Sequence, residues 1–551
     1  MSKINIFQNK LFLIVTLLVI SFAMRFSLLD KYPIQLNHDE ISQIYDLSSV
    51  MQTGNDIYGN YLPLVFPSTG DYKPGHYIYI SAISYLIFGD KEVTIRIAGA
   101  FFGSLLPLSI FILIFSTTRN LLLSFLSGFL IAINPADVFY SRKSFENVIG
   151  VFLLFSSITV LVNYIQKYRK LWFGILGVLL AVASMYVYTS ETIIAPLIAG
   201  SLFLIYKKEL LVIKKQAVIL GLVFILLATP LFFLTQMNKS VGFRALSVFV
   251  TQDADLGERL STLDKLPSVP YFLLKNITTA QFIFDRYLQQ FDPKFIFGNG
   301  LDLTNQGDIG MGSLMFAELP FFLLGIVFLI RNKNKLSLAI LAFFLLGFLP
   351  SAITFEEHSP HRAIFSLTSA ALISAFGVYW FIEYLKKLKI LAMFKLTIFT
   401  TVLFLFGINF IYFIQVYAYN WPYEKSQHFH YPYKEIALFA WDKYQEFDQI
   451  IIDPRYGQYA PIQAVAPHYY LAYYGDYSPS KLQKELKRDE NGMKFDKFTI
   501  RKVDWSKDYV LKDTLIIASP WSLSIGDIPK DSILRTFYFY NGQPAYYAVK
   551  R

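Results

Sequence analysis

The sequence predicts a polytopic α-helical membrane protein that ends in a small soluble α/β domain. Of its 551 residues, 54% are hydrophobic and only 16% are charged, whereas soluble globular proteins carry about 25% charged residues. Long uncharged runs recur along the chain and disappear after Asn420. A membrane-spanning helix needs about 20 apolar residues, so these runs are long enough to cross a bilayer.

Eleven apolar runs are candidates for transmembrane helices. The first follows Lys3 and Lys10, and no small-residue cleavage site comes after it, which favours an uncleaved first span over a signal peptide. The runs cover residues 11–29, 94–116, 120–138, 147–165, 171–188, 190–206, 216–235, 312–330, 336–354, 361–382 and 394–419.

Basic residues in the short loops predict the orientation of the chain. The net charge is +10, but loop positions between apolar runs are typical of topology signals rather than of nucleic-acid binding. With alternating spans the basic loops share one side, which predicts a cytoplasmic N-terminus, an extracytoplasmic C-terminal domain and a location in the plasma (cell inner) membrane. All seven histidines then fall on the outer side, which we expect to be the working face. They are His38, His76, His358, His361, His428, His430 and His468.

Two outer segments are long, 30–93 and 236–311, and we expect both to hold helices that lie in the membrane interface. The aromatic amphipathic stretch Tyr77–Phe88 is of this kind. Both segments are assigned to a transmembrane domain over residues 1–419. The tail, 420–551, has strand-like pieces at Gln449–Ile452 and Thr514–Ala518 and a helical stretch near 434–446, which predict a separate α/β domain.

The first group of candidate functional residues is Asn37-His38-Asp39-Glu40, just after the first span. Adjacent carboxylates near a bilayer are costly unless they are hydrated or engaged. One of them could act as a general base on an acceptor hydroxyl or could bind a cation. The alternative is a helix N-cap at Asn37 followed by solvated charges.

Lys73 belongs to a second group, Asp71-Tyr72-Lys73-Pro74-Gly75-His76, at the start of the amphipathic stretch. A lysine at the membrane surface is a natural partner for a lipid phosphate, because its ammonium is a mobile point charge. The alternative is an ordinary interfacial anchor. In the outer segment that follows the seventh span, Phe291–Phe297 and Gly307–Gly310 fit either a groove for a prenyl chain and its phosphate or an interfacial aromatic belt.

Arg142 and Glu146 stand at the outer ends of the third and fourth spans, and they would pair with each other if the segment were helical. Glu356-Glu357-His358-Ser359-Pro360-His361-Arg362 fills a short outer loop. His358, His361 and Arg362 could form a clamp for an oxyanion or phosphate, or an ion-pair cluster with the glutamates.

A divalent metal could alternatively be bound by His38, Glu40, His358 and His361, since imidazole and carboxylate suit several ions. No helical histidine spacing supports this. The chain has no cysteine, which removes disulfides, thiolate metal sites and cysteine nucleophiles. Walker loops, nucleophile elbows and dinucleotide fingerprints are also absent where a helix could use them.

Taken in order, these segments resemble the dolichyl-phosphate-mannose protein mannosyltransferase superfamily of GT-C glycosyltransferases, including its bacterial aminoarabinose transferase-like members. The similarity runs through Arg25, Asp39-Glu40, Tyr72-Lys73-Pro74, Arg96, Tyr140-Ser141-Arg142 with Glu146, the region 291–297, Glu318-Leu319-Pro320 and His358–Arg362. It covers about three-quarters of the chain. The resemblance does not extend to the tail, 420–551.

The resemblance implies inverting transfer of a sugar from a polyprenyl-phosphate donor, with Asp39 as base and Glu40 beside it. It implies that Lys73 contacts the carrier phosphate and that Glu146 is a further acidic site residue. The superfamily usually has Lys-Pro-Pro where this chain has Lys73-Pro74-Gly75, which predicts a looser turn. No cofactor is expected to be required, although a divalent metal is compatible with the reaction. The partners expected are the lipid-linked donor, membrane lipid and an acceptor that is protein, lipid or glycan.

Three other functions compete with this one. A transporter or flippase of lipid-linked sugars would place polar residues and helix breaks at the membrane midplane, whereas here the polar residues gather on one face. A scaffold whose tail binds glycan or a partner would need far fewer than eleven spans. An oligosaccharide transferase or polymerase would use a larger donor.

Overall fold

The computed structural model of the protein describes residues 9–67, 72–237, 248–263, 271–298, 311–489, 492–523 and 525–551. These divide into two compact units. The first comprises Met1–Ser27 and Gly99–Val416, and the second comprises Leu28–Ala98 and Tyr417–Arg551. The residues Gly307–Gly310, Asp71 and the other gaps lie outside the described part of the chain.

The first unit is built from helices, numbered here along the whole chain. They are α1 (Lys10–Phe26), α4 (Thr94–Thr118, shared at its start with the second unit), α5 (Leu121–Ile133), α6 (Pro135–Ser141), α7 (Glu146–Asn163), α8 (Leu171–Val187), α9 (Glu191–Ile205), α10 (Lys207–Val212), α11 (Lys214–Met237), α12 (Ala254–Leu263), α13 (Tyr271–Gln289), α14 (Pro293–Phe297), α15 (Leu319–Asn332), α16 (Lys335–Leu346), α17 (Leu349–Ala352), α18 (Pro360–Lys387) and α19 (Ala392–Gln415).

Each of the eleven apolar runs overlaps at least one helix, and the runs 120–138 and 336–354 each cover two helices. Six helical stretches in the described chain are long and apolar enough to cross a membrane, and α5 with α6 makes a seventh if the pair, bent by 56°, counts as one span. In α11 and α19, only 6% of the most apolar 18-residue stretch is buried within the protein. Apolar side chains exposed nearly all round a helix are typical of contact with lipid. A polytopic helical membrane protein is therefore confirmed.

Glycines allow two of these helices to pack backbone against backbone. A Cβ atom at Gly325 of α15 would lie 2.0 Å from the carbonyl oxygen of Ile373 on α18, and one at Gly377 of α18 would lie 1.8 Å from that of Phe321. No side chain fits at either distance. Close approach through small residues is the usual way in which membrane helices gain packing energy, since lipid supplies no hydrophobic drive between them.

The second unit combines helices with a mixed sheet. Its helices are α2 (His38–Thr53), α3 (His76–Phe88), α20 (Trp421–Lys425), α21 (Tyr433–Asp442), α22 (Pro467–Tyr474), α23 (Pro479–Glu485) and α24 (Trp505–Asp508). Its strands are β1 (Val65–Pro67), β2 (Tyr72–Pro74), β3 (Gln449–Ile452), β4 (Arg455–Tyr456), β5 (Ile462–Gln463), β6 (Lys487–Asp489), β7 (Gly492–Phe495), β8 (Phe498–Ile500), β9 (Thr514–Ala518), β10 (Ile533–Tyr538) and β11 (Pro544–Lys550).

Seven strands form the main sheet in the order β10-β11-β9-β3-β8-β7-β6. The central three are parallel, with Ile451 of β3 opposite Ile516 of β9 and Thr499 of β8. The isoleucines of β3 and β9 are fully buried, as expected for parallel strands that are covered on both faces. The α/β character of the tail is thus confirmed, and the predicted strands and the helix near 434–446 are present.

Residues 28–98, which include the first outer segment, form one compact unit with the tail. Buried hydrogen bonds join the two segments, and no local sequence pattern predicts them. Gln35 Nε2 donates to the carbonyls of Phe429 and His430 at 3.2 and 3.1 Å, and Tyr45 Oη donates to the carbonyl of Tyr477 at 2.6 Å. In the second outer segment, α12–α14 provide the predicted helices.

Candidate functional site

The helix α2 begins at Asn37 with a capping box. The Asn37 side chain accepts a hydrogen bond from the Glu40 backbone at 2.8 Å, and the Asn37 backbone donates to the Glu40 carboxylate at 3.1 Å. These bonds satisfy two backbone donors that an open helix end leaves unpaired. The N-cap alternative is therefore correct for Asn37, and the cap fixes Asp39 in the first turn, where the helix dipole favours a negative charge.

Glu40 is buried and forms a bidentate ion pair with Arg96. Arg96 Nε and Nη2 donate to its two carboxylate oxygens at 2.9 and 3.0 Å, and the two side chains are 3% and 1% exposed. The remaining Arg96 donors reach the carbonyls of Leu29, Pro33 and Gln35 at 2.9–3.2 Å. The pair thus holds the outer segment in front of α2, and this geometry favours a structural role for Glu40.

Asp39 has a different environment, because its side chain is 32% exposed. Its carboxylate lies 3.8 Å from Lys73 Nζ and 3.5 Å from His38 Nε2. Lys73 itself is buried and also donates to the Asp39 carbonyl at 3.3 Å and to Ser42 Oγ. The exposure of the Asp39 carboxylate leaves it accessible to a substrate.

The position of Lys73 is fixed by a small hairpin, so the predicted loose turn is not found. Lys73 pairs with Phe66 across β1 and β2, and the Gly75 backbone donates to the Leu64 carbonyl at 2.9 Å. A Cβ atom at Gly75 would lie 2.7 Å from Phe66 Cε2 and 3.0 Å from Tyr79 Cε2. Glycine replaces a second proline here because the two rings pack against its backbone and because its N–H is needed.

A residue that the sequence analysis did not select, His430, joins this group from the tail. Its ring lies 5.1 Å from the ring of His38, edge to face, and is almost fully buried. Burial holds the pKa of His430 well below the ordinary value, and the nearby His38 lowers it further. The imidazole that packs against His38 is therefore neutral. The only signal in the sequence was the predicted outer location of all seven histidines.

In the first unit, the side chain of Arg142 caps the C-terminal end of helix α1. Its guanidinium donates to the carbonyls of Met24, Arg25 and Ser27 at 3.0, 3.1 and 2.8 Å. Cations that satisfy carbonyls at a helix C-terminus are stabilising, so this geometry favours a structural role. The chain turns between Arg142, which follows α6, and Glu146, which begins α7. The two residues are therefore not on one continuous helix, and the spacing considered for a helical pair does not apply.

The short loop before α18 brings most of its polar residues together. Arg362 donates to the Glu356 carboxylate at 2.8 Å, and so does Ser359 at 2.7 Å. His361 lies within 3.3 Å of Ser359 Oγ. The ion-pair alternative is thus correct for Arg362 and Glu356.

His358 is placed away from that pair. It contacts the Gln289 carbonyl at 3.1 Å, and its ring lies 4.5 Å from that of Phe295. Within the described ranges, no group of three or more histidine or acidic side chains has a geometry that could hold a metal ion. Of the four residues considered for a metal, Glu40 is already engaged by Arg96.

Comparisons with known proteins place this geometry in a fold class. The family model for dolichyl-phosphate-mannose-protein mannosyltransferase matches residues 73–233, beginning at Lys73. The apo structure of ArnT from Cupriavidus metallidurans superposes with a TM-score of 0.53 at 10% identity, covering 98% of this chain and 97% of that protein. No curated protein sequence matches the chain.

Two structures of an oligosaccharyltransferase from Archaeoglobus fulgidus also match. One, a complex with zinc and sulfate, has a TM-score of 0.51 at 11% identity and covers 84% of this chain and 61% of its own. The other is tethered to an acceptor peptide and has a TM-score of 0.51 at 13% identity, covering 85% and 63%. The chain spans about three-fifths of their length. The chain shares the GT-C fold of these proteins.

Proposed function

We propose that the protein is an inverting membrane glycosyltransferase that moves a sugar from a polyprenyl-phosphate donor to an acceptor hydroxyl on the extracytoplasmic face. The observation that carries the proposal is the pair of Asp39 and Lys73 at the start of α2, with Asp39 Oδ1 and Lys73 Nζ 3.8 Å apart. The pair places a partly exposed carboxylate next to an ammonium. A base for the acceptor and a cation for a departing phosphate are the two groups that this reaction needs.

In the proposed reaction Asp39 accepts the proton of the acceptor hydroxyl as its oxygen attacks the anomeric carbon. The bond from that carbon to the phosphate oxygen breaks, and the electron pair leaves with the phosphate, which Lys73 stabilises. The sugar is already activated as a phosphate ester, so orientation supplies much of the remaining rate enhancement. A donor that stays in the bilayer agrees with a site at the membrane surface.

The environment of Glu40 supports direct displacement. A covalent glycosyl-enzyme would need a second carboxylate about 5 Å from the first across the sugar. Both oxygens of Glu40 are bonded to Arg96, and its side chain is 1% exposed. Asp39 therefore carries the base role in this proposal, and Glu40 supports the loop that precedes it.

The predicted donor-binding residues of the first unit have different roles in this proposal. His361 and Arg362 stand at the positively polarised start of α18, a position that suits an anion. Glu146 stays a predicted acidic site residue. The side chains of Arg142 and His358 hydrogen-bond to backbone carbonyls, and we propose that they stabilise the fold rather than bind the donor. The inner-membrane location and cytoplasmic N-terminus are part of the same proposal.

The test is release of free polyprenyl phosphate from a panel of polyprenyl-phosphate sugars by purified protein in nanodiscs. We expect release by the native protein and its loss in Asp39→Asn. Asp442→Asn is the matched control, since that side chain is 71% exposed and pairs only with its neighbour Lys443 among the described ion pairs. Release that survives Asp39→Asn would refute the base assignment. An arm with EDTA tests the metal requirement.

The transporter alternative is tested with the same purified protein reconstituted in sealed vesicles. A flippase would move the intact donor between leaflets without freeing polyprenyl phosphate. Transbilayer movement of the whole donor with no release, in the presence of acceptor extract, would replace the transferase with a transporter.

A further inference from the structure

Besides Glu40, the helix that carries Asp39 has another buried carboxylate, Asp46. Asp39, Ser42 and Asp46 follow one another at spacings of three and four, so they lie along one face of α2. Lys73 Nζ contacts the first two, bonding to Ser42 Oγ and to the Asp39 carbonyl. Asp46 is 1% exposed and forms the inner end of this row.

Asp46 is poorly compensated for a buried carboxylate. Tyr469 on α22 donates to its Oδ2 at 3.3 Å, whereas its Oδ1 has no hydrogen-bond partner among the described residues. A buried acceptor without a partner costs free energy, and an ionised carboxylate there costs more. The helix face that Lys73 contacts therefore also carries a buried carboxylate whose ionised form is costly.

We propose that Asp46 is a positioning residue that competes for the charge of Lys73 when it is ionised, so that donor binding depends on the protonation of this inner carboxylate. The inference rests on the proposed function of the Asp39 site and adds a regulatory group to it. A neutral Asp46 leaves the Lys73 ammonium to Asp39 and the donor phosphate. An ionised Asp46 attracts the ammonium inward and adds a negative charge near the phosphate.

The charges around Asp46 support a transition near neutral pH. Burial raises the pKa of Asp46 to about 7, Lys73 on β2 lowers it and Asp56 in the loop after α2 raises it. Tyr469 faces Asp46 from α22, and burial raises the pKa of Tyr469 well above its ordinary value. Tyr45, its neighbour on α2, has a pKa raised in the same way. Both phenols therefore stay neutral while Asp46 titrates.

The expected size of the effect follows from distance. Asp39 and Asp46 are seven residues apart, or about 10 Å along the helix axis. A unit charge at about 10 Å in a partly hydrated site, with an effective dielectric constant of about 40, changes the affinity for a phosphate about fourfold. Because burial raises the pKa of this acid, its neutral form dominates below that value, and the penalty on binding develops as the pH rises through it.

The experiment measures the affinity for tritiated undecaprenyl phosphate in a scintillation-proximity assay on the full chain in detergent, at about pH 6 and about pH 8.5. The native protein is compared with Asp46→Asn at each pH, which cancels the titration of the phosphate itself. We expect similar Kd values at the lower pH and a native Kd about fourfold higher than that of the variant at the higher pH.

A second variant keeps the inference testable if Asp46→Asn fails to fold. Tyr469→Phe removes the donor to Asp46 and should raise the pKa of Asp46, because that hydrogen bond lowers it; the rise in Kd should then move to higher pH. A ratio of native to variant Kd that does not change with pH would overturn the inference and leave a structural Asp46. Absence of any undecaprenyl phosphate binding by the native protein would instead refute the proposed function.

Discussion

Replacing each carboxylate at the start of α2 by its amide should separate stability from turnover. Glu40→Gln keeps the shape of the side chain but removes the charge that compensates Arg96, which is 3% exposed at its side chain. Breaking a buried pair by removing one partner costs about 3–5 kcal/mol, because the remaining charge stays buried. We expect Glu40→Gln to lose about this much stability. Part of its activity loss should then follow the loss of folded protein.

Asp39→Asn should behave in the opposite way. The carboxylate is 32% exposed and 3.8 Å from Lys73 Nζ, and pairs of this kind contribute about 1 kcal/mol or less after solvent screening. Loss of the general base should nevertheless lower turnover about 10²- to 10⁴-fold. The variant should therefore be folded and nearly inactive.

The assay is thermal unfolding of both variants and the native protein in nanodiscs, followed by turnover below the lowest midpoint. Turnover is divided by the folded fraction at the assay temperature. The reasoning is refuted if Glu40→Gln keeps the native midpoint and loses as much corrected turnover as Asp39→Asn. That result would make Glu40 the base and Arg96 its activating partner.

Three further predictions test other parts of the site and the topology. Lys73→Ala should raise the KM for the donor more than it lowers kcat, and an unchanged KM with a lower unfolding midpoint would make Lys73 an anchor. Burial lowers the pKa of His468 to about 3, below the unfolded value of about 6.5. The stabilising contribution of the neutral imidazole is therefore full above about pH 6.5, and acidification below that pH lowers the free energy of unfolding by up to about 1.4 kcal/mol per pH unit. His468→Phe should flatten that loss in thermal unfolding between about pH 7.5 and pH 5; an unchanged slope would refute the buried neutral state. The chain has no cysteine, so single cysteines can report the topology. Cysteines at the exposed positions Glu357 and Tyr459 should be labelled from outside intact cells, and one at Lys208 only after permeabilisation. The reverse labelling pattern would invert the topology.

Local patterns in the sequence predicted the parts of the fold that depend on local chemistry. Apolar runs of membrane-spanning length gave the helices, because no other structure satisfies backbone groups in lipid apart from a closed barrel. The strand-like runs Gln449–Ile452 and Thr514–Ala518 were found as strands because β-branched residues between turn residues favour a pleated, buried strand. The cap at Asn37 could be recognised from Asn37 and Glu40, which have the spacing of a capping box.

The features that could not be predicted depend on pairing between distant segments. Glu40 and Arg96 are 56 positions apart, and nothing in either neighbourhood specifies the bidentate contact. Because no local pattern reveals that contact, the residues alone left open which of Asp39 and Glu40 could act as a base, and only the family resemblance favoured Asp39. Gly75 was misjudged for a related reason, since the ring of Phe66 that packs on it approaches from another strand.

The candidate base therefore depends on the tail as much as on its own segment. The helix α2 is rich in polar residues and has too little apolar surface to fold by itself, because most helical stability in proteins comes from packing. Its partners include tail residues, among them Tyr477, which accepts from Tyr45, and Gln483, which donates to Ser49. The α/β tail thus helps to bury the helix that carries Asp39.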